Sequence, residues 1–311
     1  MTKSKETTFA DLFAGIGGFH AAFHNLGAQC KFVSEWDESA RKTYRHNYES
    51  KSPLVFGSQQ LEKHRFVGDI TKVDSKSRNM PKVDILCAGF PCQPFSQAGQ
   101  KLGLEEARGT LFFDILRILI DKKPAAFFLE NVRGLLNHVS PGGIQTMDVI
   151  RNQLSEAGYY FSEHLVKASD YGVPQNRPRV FIIGFRTKLH FNRFKAPPPV
   201  ELSTSLSEIL GGQTGKKIGY TLRVGGAGSG VSDRRNWDTY IVNGEAKKIG
   251  PAEGLKMQGF PSWFSFPDDV SRSQAMKQLG NSVAVPAVEA YAREILRAMG
   301  REANGVGSQQ R

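Results

Sequence analysis

Cys92 stands between Pro91 and Pro94 in the run Gly89-Phe90-Pro91-Cys92-Gln93-Pro94-Phe95-Ser96, directly after the apolar segment Val83–Cys87. A segment of that length and composition reads as a buried strand. A thiol just past its carboxyl end would sit at the edge where open α/β sheets collect their ligands. Glu130-Asn131-Val132 follows a second such segment, Ala125–Leu129, so a nucleophilic thiolate and a carboxylic acid could face each other across that edge. Gln175-Asn176-Arg177-Pro178-Arg179 enters a further strand, and residues two apart on an extended chain point to one side. Plainer readings exist for two of them: an ordinary loop thiol for Cys92 and a solvated basic pair for the arginines. Cys87, inside its strand, reads as inert core.

A second group of residues could hold a cofactor. In Asp11-Leu12-Phe13-Ala14-Gly15-Ile16-Gly17-Gly18-Phe19 a strand ends in a glycine-rich turn and a helix follows, which lets a nucleotide-like molecule approach the backbone. Glu35 ends the next strand, where a carboxylate can accept from two ribose hydroxyls. His20 stands where the third glycine of a G-x-G-x-x-G turn would fall, which disfavours a pyrophosphate ligand and favours a cofactor without phosphates, such as S-adenosylmethionine. Gly68-Asp69-Ile70 could present Asp69 to an adenine amino group. A tight turn needing glycine and a surface turn are the plainer alternatives.

The elements that must position these residues alternate. Strands are expected at Thr8–Phe13, Gln29–Val33, Val83–Cys87, Ala125–Leu129, Tyr160–Lys167 and Val180–Phe185. Helices are expected at Phe19–Leu26, Leu111–Lys122, Ile144–Ala157 and Pro286–Met299. The alternation predicts an α/β fold, a parallel sheet wrapped by helices. It stops after Phe185. Between 186 and 250, 11 Lys and Arg face 5 Asp and Glu, and eight of the twenty residues from Gly211 to Gly230 are glycine. We therefore expect a catalytic and cofactor-binding domain from 1–185 and 279–311, interrupted by a smaller, loop-rich basic module with its hinge at 186–278. The helix Pro286–Met299 is expected to pack back onto the first sheet.

Bulk composition sets limits. The chain has 311 residues, with 41 Lys and Arg against 30 Asp and Glu, giving a net charge of +11. Such an excess suits a phosphate-rich partner. Three cysteines without a CxxC pair, and without histidines at ligand spacing, predict neither a disulfide framework nor a zinc site, and fit a reducing cytoplasm. Met1–Thr7 leaves no room for a signal peptide, and no apolar run approaches a membrane span.

Individually modest, these segments fall into one order: DLFAGIGGF, EWD, GDI, GFPCQPFS, ENV, QNRPR and QLGNSV. In order and spacing the chain resembles the bacterial DNA (cytosine-5)-methyltransferases of restriction–modification type over nearly its whole length, with 186–250 as the variable part. The resemblance implies a Rossmann-like S-adenosylmethionine fold with a target-recognition domain, and methyl transfer to a cytosine flipped out of double-stranded DNA. Phe13, Gly15, Ile16, Gly17 and Gly18 would shape the methionine pocket. Glu35 and Trp36 would hold ribose and adenine, with Asp69 and Ile70 on the adenine. Gly89 and Pro91 would line the same site, and Asn281 and Ser282 would close it.

By the same resemblance Cys92 would be the nucleophile and Glu130 the donor of a proton to N3 of cytosine. Arg179 would contact O2, supported by Arg177 and Gln175. Gln93–Gly109 resembles a mobile catalytic loop, with Ser96, Gln97 and Arg108 as DNA contacts. Some relatives carry serine where this chain has Ala98, so any contact from that hydroxyl must come from elsewhere. Sequence recognition is expected in 186–250, above all from Arg223, Arg234 and Arg235. S-adenosylhomocysteine would be the product and no metal is expected. A cognate restriction endonuclease is expected as functional partner without a stable complex, and the chain is expected to be a monomer. Three rivals fit less well. A tRNA cytosine-5 methyltransferase would carry a Cys-Phe-Thr signature, and no Cys follows Cys92. A non-catalytic DNA-binding relative has no need of Cys92, Glu130 and both arginines. A nicotinamide-dependent oxidoreductase leaves GFPCQPFS unexplained.

Overall fold

The computed structural model describes residues 6–90, 111–140, 143–225 and 230–303. Seven apolar segments pair into one sheet: β1 (Thr8–Leu12), β2 (Gln29–Ser34), β3 (Phe66–Val67), β4 (Ile85–Gly89), β5 (Ala126–Val132), β6 (Tyr160–Lys167) and β7 (Pro178–Phe185). Their spatial order is β3-β2-β1-β4-β5-β7-β6. A two-stranded hairpin, β8 (Thr239–Val242) with β9 (Glu245–Lys248), lies apart from it.

The helices are α1 (Gly18–Asn25), α2 (Glu38–Tyr48), α3 (Pro53–Phe56), α4 (Gln59–Arg65), α5 (Leu111–Lys122), α6 (Thr146–Glu156), α7 (Lys188–Arg193), α8 (Leu206–Leu210), α9 (Pro251–Gln258), α10 (Arg272–Asn281) and α11 (Val285–Ala298). Local chemistry sets several starts. Asp37 caps α2 by accepting from the Ala40 amide, and Ser271 with Gln274 forms a capping box on α10.

Alternation along each strand sends side chains to two cores. On β5, Ala126 and Phe128 join the layer that holds α1 and α11, whereas Phe127 and Leu129 join the layer that holds α5 and α6. The helix at 285–298 thus packs onto the sheet, as the sequence suggested. The buried side chains of 206–264, among them Leu222, Trp237, Tyr240 and Met257, are continuous with that first layer.

Three strand expectations need correction. The sheet is not wholly parallel, because β7 runs antiparallel to both β5 and β6. β4 begins two residues later than expected, at Ile85, and just before it the Asp84 carboxylate accepts from the Thr8 amide and hydroxyl, each at 2.9 Å. β5 continues through the polar residues Glu130 and Asn131 because β7 pairs with it as far as Val132 opposite Arg179. A polar strand end looks like a loop in sequence until its partner strand is known.

Because β1 to β3 build outward one way and β4 to β5 the other, the carboxyl ends of β1 and β4 flank the point where the strand order reverses. That is where an open α/β sheet leaves a crevice. Phe128 anchors the layer behind it, in edge-to-face contact with Phe19 at 5.0 Å and Phe181 at 4.9 Å. Phe128→Ala removes a fully buried ring between α1 and β7. Urea denaturation of this variant should show a loss of about 3–5 kcal/mol.

Candidate active site

A cleft of about 640 Å³ opens at the carboxyl edge of β1, β2, β4 and β5, within the size range of small-molecule sites. Its first wall is the turn after β1. Phe13 (φ 54°) and Gly15 (φ 55°) turn the chain, and Gly17 (φ 84°) caps α1. Gly17 is required twice over: its φ is left-handed, and an added Cβ would lie 2.4 Å from the Tyr48 ring. Tyr48 also donates its hydroxyl to the Gly17 carbonyl at 2.6 Å, a clamp from a helix 31 residues away that nothing in the sequence announces.

Glu35 is fastened beneath this turn. Its Oε2 accepts from the Gly15 amide at 2.6 Å and its Oε1 from the Asp37 amide at 2.8 Å. Burial nonetheless raises its pKa above the usual glutamate value, more than these bonds lower it. Trp36, beside it, lines the cleft with 74% of its surface exposed. An exposed indole on a cleft wall offers a flat face for stacking. Asp69 and Ile70 form the opposite lip. Asp69 Oδ1 accepts from the Thr71 amide and hydroxyl, which holds its carboxyl below the usual range.

The residues at the far end of the chain reach the same cleft. Asn281 and Gly280 line it, and Lys277 bridges to Asp37 at 3.0 Å across its mouth. That bridge was not anticipated, and a lysine 240 residues from its partner leaves no local trace. Four of the expected residues, Ile16, Gly17, Gly18 and Ser282, do not line the cleft. Ile16 is fully buried in the core behind the turn, and Ser282 is buried, its hydroxyl without a partner among the described residues and its carbonyl accepting from Arg177. Gly18 packs against Val283, where an added Cβ would be 2.6 Å away.

The deepest part is polar. Gly89 pairs with Glu130 across β4 and β5, and the Asn131 side-chain amide donates to the Phe90 carbonyl at 3.0 Å. Glu130 meets Arg179, with Oε1 2.9 Å from Nε, both side chains mostly buried. Arg179 also donates from Nη1 to the Pro178 carbonyl at 2.8 Å, while its Nη2 has no partner among the described residues.

Arg177 lines the same cleft as Arg179 but commits its guanidinium elsewhere. Its guanidinium is buried and donates to the carbonyls of Leu222 and Gly280, each at 3.0 Å, and of Ser282. Burial, with Arg179 nearby, pulls its pKa down. Cys87 is fully buried, and burial pushes its thiol far above the ordinary value, so it is chemically silent. Cys92, Pro91, Ser96, Gln97 and Arg108 lie outside the described residues.

The basic candidates stand on the module that follows β7. Arg223 and Arg235 are exposed, and Arg223 donates to the Arg235 carbonyl. Arg235 forms an ion pair with Asp233 at 2.8 Å, which lowers that acid's pKa to about 2. Arg234 is exposed. No group of three or more His, Cys, Asp or Glu suited to a metal occurs among the described residues, and no helix there is long and apolar enough to cross a membrane.

Comparison with known proteins agrees with this architecture. A family model for C-5 cytosine-specific DNA methylases matches residues 7–225 and 212–297. The chain is 40% identical to the type II methyltransferase M.HpaII of Haemophilus parainfluenzae, over 94% of this chain and 90% of that protein. It is 35% identical to the type II methyltransferase M.HhaI of Haemophilus parahaemolyticus, over 94% and 96%. Among solved structures, the fold resembles a DNMT2 mutant of Spodoptera frugiperda, with a TM-score of 0.69 and 19% identity over 94% of this chain and all of that one. A putative DNA modification methyltransferase from an E. coli prophage gives 0.65 and 19%, over 95% and 100%.

The raised Glu35 carboxyl has a measurable consequence. A carboxyl accepts from two hydroxyls most strongly when both oxygens are anionic, and the raised pKa of Glu35 brings protonation at a higher pH than for an ordinary glutamate. If Glu35 holds the cofactor ribose, calorimetric affinity for S-adenosylhomocysteine should be full at neutral pH and fall as the solution is acidified. Glu35→Gln should bind about tenfold or more weakly at neutral pH, by the loss of a charged acceptor, and show no such fall.

Proposed function

The chain belongs to the C-5 cytosine-specific DNA methylases, a sequence-specific DNA (cytosine-5-) methyltransferase using S-adenosylmethionine, and we propose how its own residues divide that work. The observation that carries the proposal is the Glu130–Arg179 pair at the floor of a cleft whose other end is framed by Glu35 and Trp36.

The cleft fits the cofactor: a carboxylate for two hydroxyls, an exposed indole for a flat base, and glycine backbone for a close approach. Phe13, Gly15, Glu35, Trp36, Asp69, Ile70, Gly89 and Asn281 would hold it. Ile16, Gly17, Gly18 and Ser282 shape the wall from behind; a role for Pro91 beside them is implied by the motif alone. Bound there, S-adenosylmethionine supplies an electrophilic methyl group and leaves as S-adenosylhomocysteine; the chemistry needs no metal.

Cytosine C5 is too weak a nucleophile to take that methyl unaided. The Cys92 thiolate adds to C6 while Glu130 places a proton on N3, which turns the ring into an enamine whose C5 is nucleophilic. Arg179 spends Nε on Glu130 and Nη1 on its own strand, so Nη2 is the donor left for O2 of the base. After methylation the C5 proton leaves, the thiolate is expelled from C6, and N3 returns its proton to Glu130. C5 is inaccessible within the stack, so the target base is extruded into the floor of the cleft. Ser96, Gln97 and Arg108 would hold the DNA around it.

The module 186–278 would read the sequence. Arg223, Arg234 and Arg235 can each fork onto guanine O6 and N7, although Arg235 must first release Asp233. The relatives' type II character supports a protective role beside a restriction endonuclease that forms no stable complex with this chain. We place it in the cytoplasm, acting as a monomer on duplex DNA.

Two experiments test the chemistry. A duplex with 5-fluorocytosine at the target cannot lose a proton from C5, so a covalent adduct should survive denaturing electrophoresis with the wild type and be absent with Cys92→Ala. An enzyme that methylates ordinary duplex DNA yet traps no adduct refutes the covalent route. Glu130→Gln keeps the volume but not the proton, and single-turnover methylation should slow by about two to four orders of magnitude with cofactor affinity retained. A wild-type rate would assign the proton to another group.

A further inference from the structure

The segment 219–225 is bound through its backbone to two motifs that frame the cleft. The Asn176 amide donates to the Gly219 carbonyl and the Gly219 amide to the Pro174 carbonyl, both at 2.8 Å. Thr221 donates its hydroxyl to the Asn176 carbonyl, and the Leu222 amide donates to Gln175 Oε1 at 3.2 Å. Arg177 joins these to a third piece of chain, with Nη1 on Leu222 and Nη2 on Gly280 and Ser282. It is 2% exposed and forms no ion pair among the described residues. At Gly280 the two backbones touch: an added Cβ would lie 2.6 Å from the Arg223 carbonyl carbon and 2.8 Å from the Val224 nitrogen.

A guanidinium has a planar fork with fixed N–H directions, so one committed to three carbonyls sets the spacing between the chains that carry them. Arg177 lies two residues from Arg179, which meets Glu130 at the floor of the cleft. Leu222 adjoins Arg223 on the exposed face. One side chain therefore fixes how far the DNA-facing segment stands from the base pocket. We propose that Arg177 is a positioning residue for sequence specificity: it holds the Arg223 segment in register with Arg179 and Glu130, so that a cytosine is methylated efficiently only when its neighbours are also read. This rests on the assignment of the 219–225 segment to DNA recognition. Errors of about 1 Å in such an arrangement cost on the order of a hundredfold in rate.

The recognition site is first mapped by bisulfite sequencing on a random-site library. kcat and KM are then measured on a duplex with that site and on duplexes with one base pair of it changed, for wild type, Arg177→Lys, Thr221→Val and Arg223→Ala. Lysine offers a point donor instead of a fork. Arg177→Lys should lower the ratio of kcat/KM for cognate over altered sites by about tenfold or more. Thr221→Val, which keeps Arg177 and loses one exposed hydrogen bond between the same two chains, should lower it by about two- to fivefold. A purely structural role would reduce the active fraction and scale every substrate alike, so an unchanged ratio in folded Arg177→Lys overturns the proposal. Should that variant not fold, an unchanged ratio in Thr221→Val does the same. If Arg223→Ala lowers the ratio and the other two do not, the strut alone is refuted. If none of the three changes it, the assignment of the segment to recognition fails and the strut with it. If only Arg177→Lys and Thr221→Val lower it, the segment reads DNA through residues other than Arg223, and the strut stands.

Discussion

Glu130 meets Arg179 because β7 runs against its neighbours. In a wholly parallel sheet the amino end of the seventh strand would lie at the edge opposite the cleft. Inserted antiparallel between β5 and β6, it delivers Pro178 and Arg179 to the edge where β1, β4 and β5 end. The pairing of Val132 with Arg179 then carries β5 through Glu130 and Asn131, so the acid rides on a hydrogen-bonded strand and not on a loop. A group placed in this way is held within the tolerance that proton transfer demands.

The other end of the cleft faces a trade-off between burial and charge. Glu35 is deep enough for desolvation to disfavour its ionised form, and two backbone amides offset part of that cost. Those amides belong to the turn after β1 and to the start of α2. The same contacts that keep the carboxylate usable also fix the turn that the cofactor must approach. Tyr48 completes the arrangement by taking the Gly17 carbonyl, one of the groups at the helix start, out of competition.

Arg177 is the more unusual feature. A buried cation without an anion is expensive, and three carbonyl acceptors offset only part of its lost hydration. Its Nε has no partner among the described residues. Apolar packing could join the same chains at lower cost, but it would not define their separation through directional bonds. The continuity of the core between the sheet and residues 206–264 points the same way, since the segment that carries Leu222 shares an apolar surface with the layer of α1 and α11.

Sequence alone determined the order of the motifs, the α/β class and the extent of elements with clear periodicity. β6 at Tyr160–Lys167 has the bounds its pattern predicts, and α5 ends at Lys122, before Pro124, as its flanking breaker predicts. It also placed Glu35 in reach of Gly15, because a strand, a turn and one short helix have nearly fixed lengths. Periodicity is local, however, and strand direction is not; nothing between 160 and 185 says that β7 should be reversed. The two arginines show the limit most clearly. Equal sidedness at i and i+2 holds only for extended backbone, yet Gln175 and Arg177 donate to the carbonyls two residues before them, at 2.8 and 3.0 Å, so the chain is tightly turned there. Arg177 therefore faces Leu222 and Gly280, while Arg179, one residue inside β7, faces Glu130. Only the tertiary structure could separate them, because the carbonyls that claim Arg177 lie 45 and 103 residues away.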